Sequence, residues 1–509
     1  MSPSFISAAN QAPGKPDGIA RLQGWLRTPR APHDSDEYAN QLQHLQALGE
    51  CAATLPQRMA VLDALYLRLH AALDGTAATL TTLPLPLPRK QKLTLRAAQD
   101  CLLNLARALL GSLSEHSPRH GLGVHFAHNL GHPPELVLWR ALRCLGRHFQ
   151  LSALVAAPAG HDLWRELHHV FQRAQALDLL DTHPDPDGQS LADTYFATIL
   201  HACAQPTSLS VEENRFVADL LAHSRGLIDP EGESPPTFIL DLARDAPAFS
   251  AFRPPPDLAI PFAFSCKRLC ARLRVQEAAL TRGIGARALE LPGFAETPSG
   301  RSLLRRLASR WNSPAKRRFP RRRQGYRGQL LAGLDALREL FRHAANHPPP
   351  STQWMIINES PDGYAAMHVS GDTGNFAAGD IAALRTETGD RWQLCIVRRV
   401  ESAHPEHLEV GLQILSNNAQ PVTLVRPASD DGPAERHPAL LIPPAPPLRD
   451  SALLLTPSHA LTDAPCRFLL IAERHNLEVR EMRSLGCDER NARIALFRVE
   501  DDSENLNPL

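Results

Sequence analysis

The residues with the most chemical potential lie in one stretch, Arg301 to Arg327 (RSLLRRLASRWNSPAKRRFPRRRQGYR), which holds eleven basic residues and no acidic one. All but Lys316 are arginines. A guanidinium offers planar, paired donors to a phosphate and a flat face to a base, whereas an ammonium supplies only a point charge. Arg301, Arg305, Arg306 and Arg310 recur at helical spacing and fit the solvated face of a helix. Lys316 to Arg323 lies beyond Pro314 and contains Pro320, so it should be extended. Guanidiniums packed along extended chain repel one another unless an anion or an acidic partner sits among them. Beyond Pro314 an Arg-x-x-x-Arg spacing is met three times, by Arg317 and Arg321, Arg318 and Arg322, and Arg323 and Arg327. Further on, Trp354 to Gly363 (WMIINESPDG) is an apolar strand running into a turn. There Asn358, Ser360 and Gly363 present an amide, a hydroxyl and an open backbone. By itself that turn also fits an ordinary hairpin.

Other chemistry is weakly represented. His120, His125, His128 and His132 cluster in HGLGVHFAHNLGH, but their spacing matches no usual ligand pattern, and Gly121, Gly123 and Gly131 mark a loop, so no metal is expected. His161, His168 and His169 fall on a helix rich in Leu with Trp164 and read as surface or capping residues. Phosphate-loop, serine-hydrolase and zincin signatures are missing, and nothing places a nucleophile beside a base. The chain reads as non-catalytic, with no cofactor. Nine dispersed cysteines without a Cys-x-x-Cys indicate reduced thiols and a cytoplasmic protein. No apolar run approaches the ~18 residues of a spanning helix.

The elements that must carry these residues form an α+β multidomain chain. Residues 1–35 are expected to be disordered, and 36–230 form a helical domain, an α-hairpin array or irregular solenoid, in which Gln91 to Leu113 is the cleanest amphipathic helix. Residues 231–310 read as a boundary region with one short strand, Thr237 to Leu242, and further helices. From 311 to 427 short β-branched and alternating segments separated by Gly, Asp, Asn and Pro predict an antiparallel β domain. A small C-terminal β region is expected over 428–499 and an acidic tail over 500–509.

A basic Arg-x-x-x-Arg segment entering a barrel, followed by Asn-x-Ser-x-x-Gly at a strand end, resembles the PilZ domain, the bacterial receptor module for cyclic di-GMP. Gly379 to Leu384, Gln393 to Val400 and Leu408 to Leu415 are similar to the family's later strands, so the resemblance covers about residues 311–427. It implies that Arg317 and Arg321, with Lys316 before them, contact phosphate and guanine, while Asn358, Ser360 and Gly363 pack on a guanine. Arg318, Arg322, Arg323 and Arg327 supply the alternative frames. The family's acidic position is Asn358 here. The long gap between Arg321 and Asn358 is expected to hold an inserted helix, Asp335 to Ala345, that rearranges the pocket or abolishes binding.

Charge sharpens these readings. Lys+Arg and Asp+Glu are 54 each, and setting aside the basic block leaves 43 basic against 54 acidic residues. The formal zero therefore hides a plus-eleven block against a minus-eleven surround, which disfavours general polyanion or membrane-surface binding while leaving one local anion site. The leading reading is a cyclic di-GMP receptor or adaptor whose helical region binds a protein partner. The alternatives are a nucleic-acid-binding or scaffold protein using residues 316–327, and a PilZ-like fold that no longer takes ligand.

Overall fold

The computed structural model describes residues 18–28, 36–51, 53–114, 132–185, 188–313, 319–342, 351–371, 373, 376–404, 407–426, 434–446, 449–473, 477–491 and 493–502. Among the described residues eight α-helices come first: α1 (Gly18–Arg27), α2 (Glu37–Glu50), α3 (Leu55–Leu80), α4 (Arg89–Ser114), α5 (Pro134–Leu154), α6 (Leu163–Ala176), α7 (Leu191–Cys203) and α8 (Val211–His223). Local chemistry sets their starts. Ser190 Oγ accepts from the Asp193 amide at 3.0 Å, and Ser210 with Glu213 forms a reciprocal capping box at the head of α8. The α5 helix is central, packing against α4, α6, α7 and α8, and the apolar stripes of all these helices share one core.

That core extends further along the chain than the sequence suggests, in both directions. Ile19 and Leu22 of α1 are buried in it, although 1–35 reads as disordered; a short amphipathic helix orders when a neighbour covers its apolar face. Residues 231–310 are likewise part of the helical unit. They hold a small antiparallel sheet of β1 (Phe238–Asp241), β2 (Phe249–Ser250) and β3 (Pro261–Phe264), then α9 (Lys267–Thr281) and α10 (Pro298–Asn312). Trp311, at the end of α10, is fully buried, and its indole N–H donates to the Leu200 carbonyl at 3.1 Å.

Two closed antiparallel barrels follow. The first joins β4 (Arg322–Ala332), β5 (Thr352–Ser360), β6 (Gly363–Ser370), β7 (Ile381–Thr386), β8 (Gln393–His404) and β9 (His407–Ser416) in the order β4-β5-β6-β9-β8-β7. The second joins β10 (Gln420–Arg426), β11 (Glu435–Ile442), β12 (Ala452–Pro457), β13 (Arg467–Glu473), β14 (Leu477–Arg490) and β15 (Ile494–Asp501) in the order β10-β11-β12-β15-β14-β13. Closure leaves neither sheet an open edge. β10, which the sequence assigns to the PilZ-like unit ending at 427, pairs with β11 and β13 and so closes the second barrel. The region expected to be small is a complete barrel with its own core around Phe468 and Phe497. β15 carries ordered strand to Asp501, within the expected tail.

Helix α11 (Leu334–Arg342) is the insertion anticipated from the long gap, and it lies far from the motif turn. It leaves β4 at the Ala332 end, whereas the arginines enter at Arg322, a separation of roughly 33 Å along an eleven-residue strand. Its Leu337 and Leu340 fill an apolar seam between Leu331, Ile381 and Leu394 of the first barrel and Leu440, Leu455 and Leu496 of the second. It joins the two barrels rather than rearranging the pocket.

Candidate cyclic di-GMP face

The register of the first barrel brings the arginine segment and the motif turn together. Arg322, Glu359 and Tyr364 form one cross-strand row through β4, β5 and β6, and Arg323, Asn358 and Ala365 form the next. Tyr364 belongs to the barrel core, so its row points to the inner rim. The neighbouring row, with Arg323 and Asn358, therefore points outward, and Arg321 and Ser360 share its parity. The inner rim is occupied by a small network: Gln324 Nε2 and the Tyr326 hydroxyl donate to Glu359 Oε2 at 3.1 and 3.0 Å. Burial and then the Glu359 carboxylate push the Tyr326 phenol well above the ordinary tyrosine range, so it stays a proton donor.

The outward row is less committed. Arg321 and Arg323 are exposed, and neither Arg323 nor the Asn358 amide has a side-chain partner among the described residues. Ser360 Oγ lies 2.7 Å from Asp362 Oδ1 and 3.1 Å from the Gly363 carbonyl. With its proton held by these oxygens, the hydroxyl offers lone pairs to an incoming N–H. Pro361 and Asp362 make the tight connection between β5 and β6, with Ser360 paired to Gly363 across it. Gly363 itself serves the fold: a Cβ there would lie 2.0 Å from the Leu412 carbonyl oxygen of β9. Lys316, Arg317 and Arg318 lie outside the described residues. Arg327 sits further along β4, opposite Met355, its backbone amide bound to Glu387.

The four earlier arginines do a different job from the solvated face expected of them. Arg306 pairs with the buried Glu213, Arg305 with Glu277 at 3.4 Å, and Arg301 with Asp463 of the second barrel at 3.7 Å. Arg310 donates to the Ala204 carbonyl and to Ser208 Oγ, and burial pushes its guanidinium down to about 10. They hold α10 to its neighbours. His168, expected at the surface or in a cap, is buried: its ring nitrogens meet the Tyr195 hydroxyl at 2.7 Å and the Ala246 carbonyl at 3.0 Å, and burial lowers its pKa. His132 lies beside Asp63, while His120, His125 and His128 are outside the described residues. Among the described residues no cluster of three metal-ligating side chains occurs, and no helix is long and apolar enough to cross a membrane.

Two family models match the chain. One, described as the N-terminal domain of the cyclic-di-GMP receptor FimW, matches residues 20–234. The other, the middle PilZ domain of the same receptor, matches residues 337–421. The chain belongs to the FimW family of cyclic-di-GMP receptors. No curated protein matches it. The first match covers the helical unit as far as residue 234, and the second runs from within α11 through β5 to β9, including the turn with Asn358, Ser360 and Gly363. The arginine block and β4 precede the second match, so their place beside the turn rests on the register described above.

Sequence reasoning missed the inner-rim residues Gln324, Tyr326 and Glu359. Their signal was present, since a charged residue flanked by Asn358 and Ser360 must alternate to the opposite face, but which partners it meets depends on the β4 register.

Proposed function

We propose that the chain is a non-catalytic receptor that binds cyclic di-GMP on the outer face of its first barrel. In this reading Lys316, Arg317 and Arg321 wrap the phosphates and stack on a base, while Asn358 donates and accepts at a guanine edge and Ser360 accepts from it. The observation that carries the reading is the row in which Arg323 faces Asn358, two residues from Arg321 on one side and two from Ser360 on the other. Neutralising the arginine block would change how the helical unit is held against the barrel. A second route leaves the turn directly. Gln413, cross-strand partner of Gly363, accepts from Arg398 Nε at 2.7 Å, and Arg398 pairs with Glu489 of the second barrel. The helical unit is then the surface that engages a protein partner.

Calorimetry on the full chain tests the ligand. Cyclic di-GMP should bind at micromolar concentration, and Asn358→Ala should weaken it about tenfold, as expected for the loss of roughly 1.4 kcal/mol of hydrogen bonding. Binding of random DNA with a steep salt dependence, and no heat from cyclic di-GMP, would favour the nucleic-acid alternative instead.

A further inference from the structure

A cavity of about 180 Å³ lies where the helical unit and both barrels meet, walled by Arg306 and Arg310 from α10, Arg398 from β8 and Arg490 from β14. Four guanidiniums at one seam need anions, and the local carboxylates are already engaged. Glu213 is held by Arg306 and by the amide of Ser210, Glu489 by Arg398, and Asp488 by Arg498 at 2.7 Å. Arg490, only 3% exposed, is matched outside the cavity by Asp463 at 2.8 Å. Arg310 is left over: it is bonded to the neutral oxygens of Ala204 and Ser208, and no described carboxylate forms an ion pair with it. In addition the Nε atoms of Arg306 and Arg490 are buried without a hydrogen-bond partner among the described residues. Buried donors in that condition are costly, and a buried unmatched cation more so.

We propose that this cavity is a second anion site, independent of the cyclic di-GMP face, that takes a phosphate-sized oxyanion among Arg306, Arg310, Arg398 and Arg490. One singly charged oxyanion, such as dihydrogen phosphate, would match the surplus charge of Arg310 and offer acceptors to donors from all three units, tying them together. A tetrahedral anion suits forked guanidinium donors approaching from different walls.

The probe is inorganic phosphate titrated into the full chain by calorimetry, with sodium chloride at equal ionic strength as the reference. Wild-type protein should give saturable heat, and phosphate should raise the melting temperature by about 2 °C over the chloride reference. Arg310→Gln should weaken phosphate at least about tenfold while leaving the cyclic di-GMP titration unchanged, so failure of either site is read separately. If that variant does not fold, Arg398→Gln, on the half-exposed barrel wall, should weaken phosphate in the same way. Guanosine monophosphate that competes with phosphate would make a nucleotide the source of the anion; failure to compete would point to the free ion. Absence of phosphate heat in the wild type, or wild-type phosphate affinity in a folded Arg310→Gln or Arg398→Gln protein, would overturn the proposal.

Discussion

Gly363→Ala is expected to abolish cyclic di-GMP binding by unmaking the barrel that presents the site. The added methyl would stand 2.0 Å from the Leu412 carbonyl oxygen and 3.2 Å from the Gln413 Cα, both backbone atoms of β9 that cannot swing aside as a side-chain tip would. Relief requires β6 and β9 to separate at Gly363 and Tyr364, where they pair with Gln413 and Leu412. Overpacking of this kind costs about 3 kcal/mol or more, a large part of a domain's net stability. Fluorescence of Trp354, fully buried in the first barrel beside Phe376, reports the loss. The expected result is an early melt of that signal together with lost ligand heat. An alanine variant with wild-type melting and affinity would contradict the β6–β9 register. The glycine that the family resemblance places against a guanine is also, in the structure, a requirement of strand pairing.

Mild acid should unfold the helical unit. Burial first, then for His70 the Arg143 and Arg147 charges, lowers His70, His148 and His201 to about 4, while His44 and His168 are shifted in the same direction, again chiefly by burial. All five lie within α2 to α7. A histidine whose folded pKa is depressed takes up a proton in the unfolded chain before it does so in the folded one. Stability is therefore intact above the unfolded value near 6.5 and falls as the pH drops from there toward 4. At pH 5 each of His70, His148 and His201 costs about 2 kcal/mol relative to neutral pH, and the three together amount to several kcal/mol. Helical circular dichroism followed from pH 7 to 5 should show a melting temperature that drops steeply below pH 6.5. His148→Leu, which removes a ring whose Nδ1 is buried without a hydrogen-bond partner, should flatten that slope. A melting temperature constant across this range would show that the histidines reach solvent.

What was legible in the chain was local. Asn358-x-Ser360-x-x-Gly363 declares a hairpin because the turn lies within a few residues, and the run of guanidiniums declares an anion site because no acid is interleaved with it. The Leu- and Ala-rich periodicity of α4 and α5 is similarly self-contained. What was hidden depended on partners distant in sequence. Arg306 reads as a solvated residue until Glu213, far upstream, is brought against it. β10 reads as the last strand of the first barrel because it follows β9 closely, yet pairing with β11 and β13 decides its membership. His168 is polar by type and buried by position, and only the Tyr195 hydroxyl and the Ala246 carbonyl explain how it is tolerated there. The insertion α11 was expected at the pocket because its place along the strand, at the Ala332 end, could not be read from the length of the gap.

The central claim is that one arginine pair on the approach to β4 and one turn at the end of β5 form a single ligand face. The most direct test is cyclic di-GMP calorimetry on Arg317→Ala/Arg321→Ala beside Arg323→Ala/Arg327→Ala, both in the full chain. Loss of two charge-assisted contacts of about 1.5–3 kcal/mol each should weaken the first double variant by at least a hundredfold. The second should lose far less. Wild-type affinity in the first variant, or the larger loss in the second, would contradict the account.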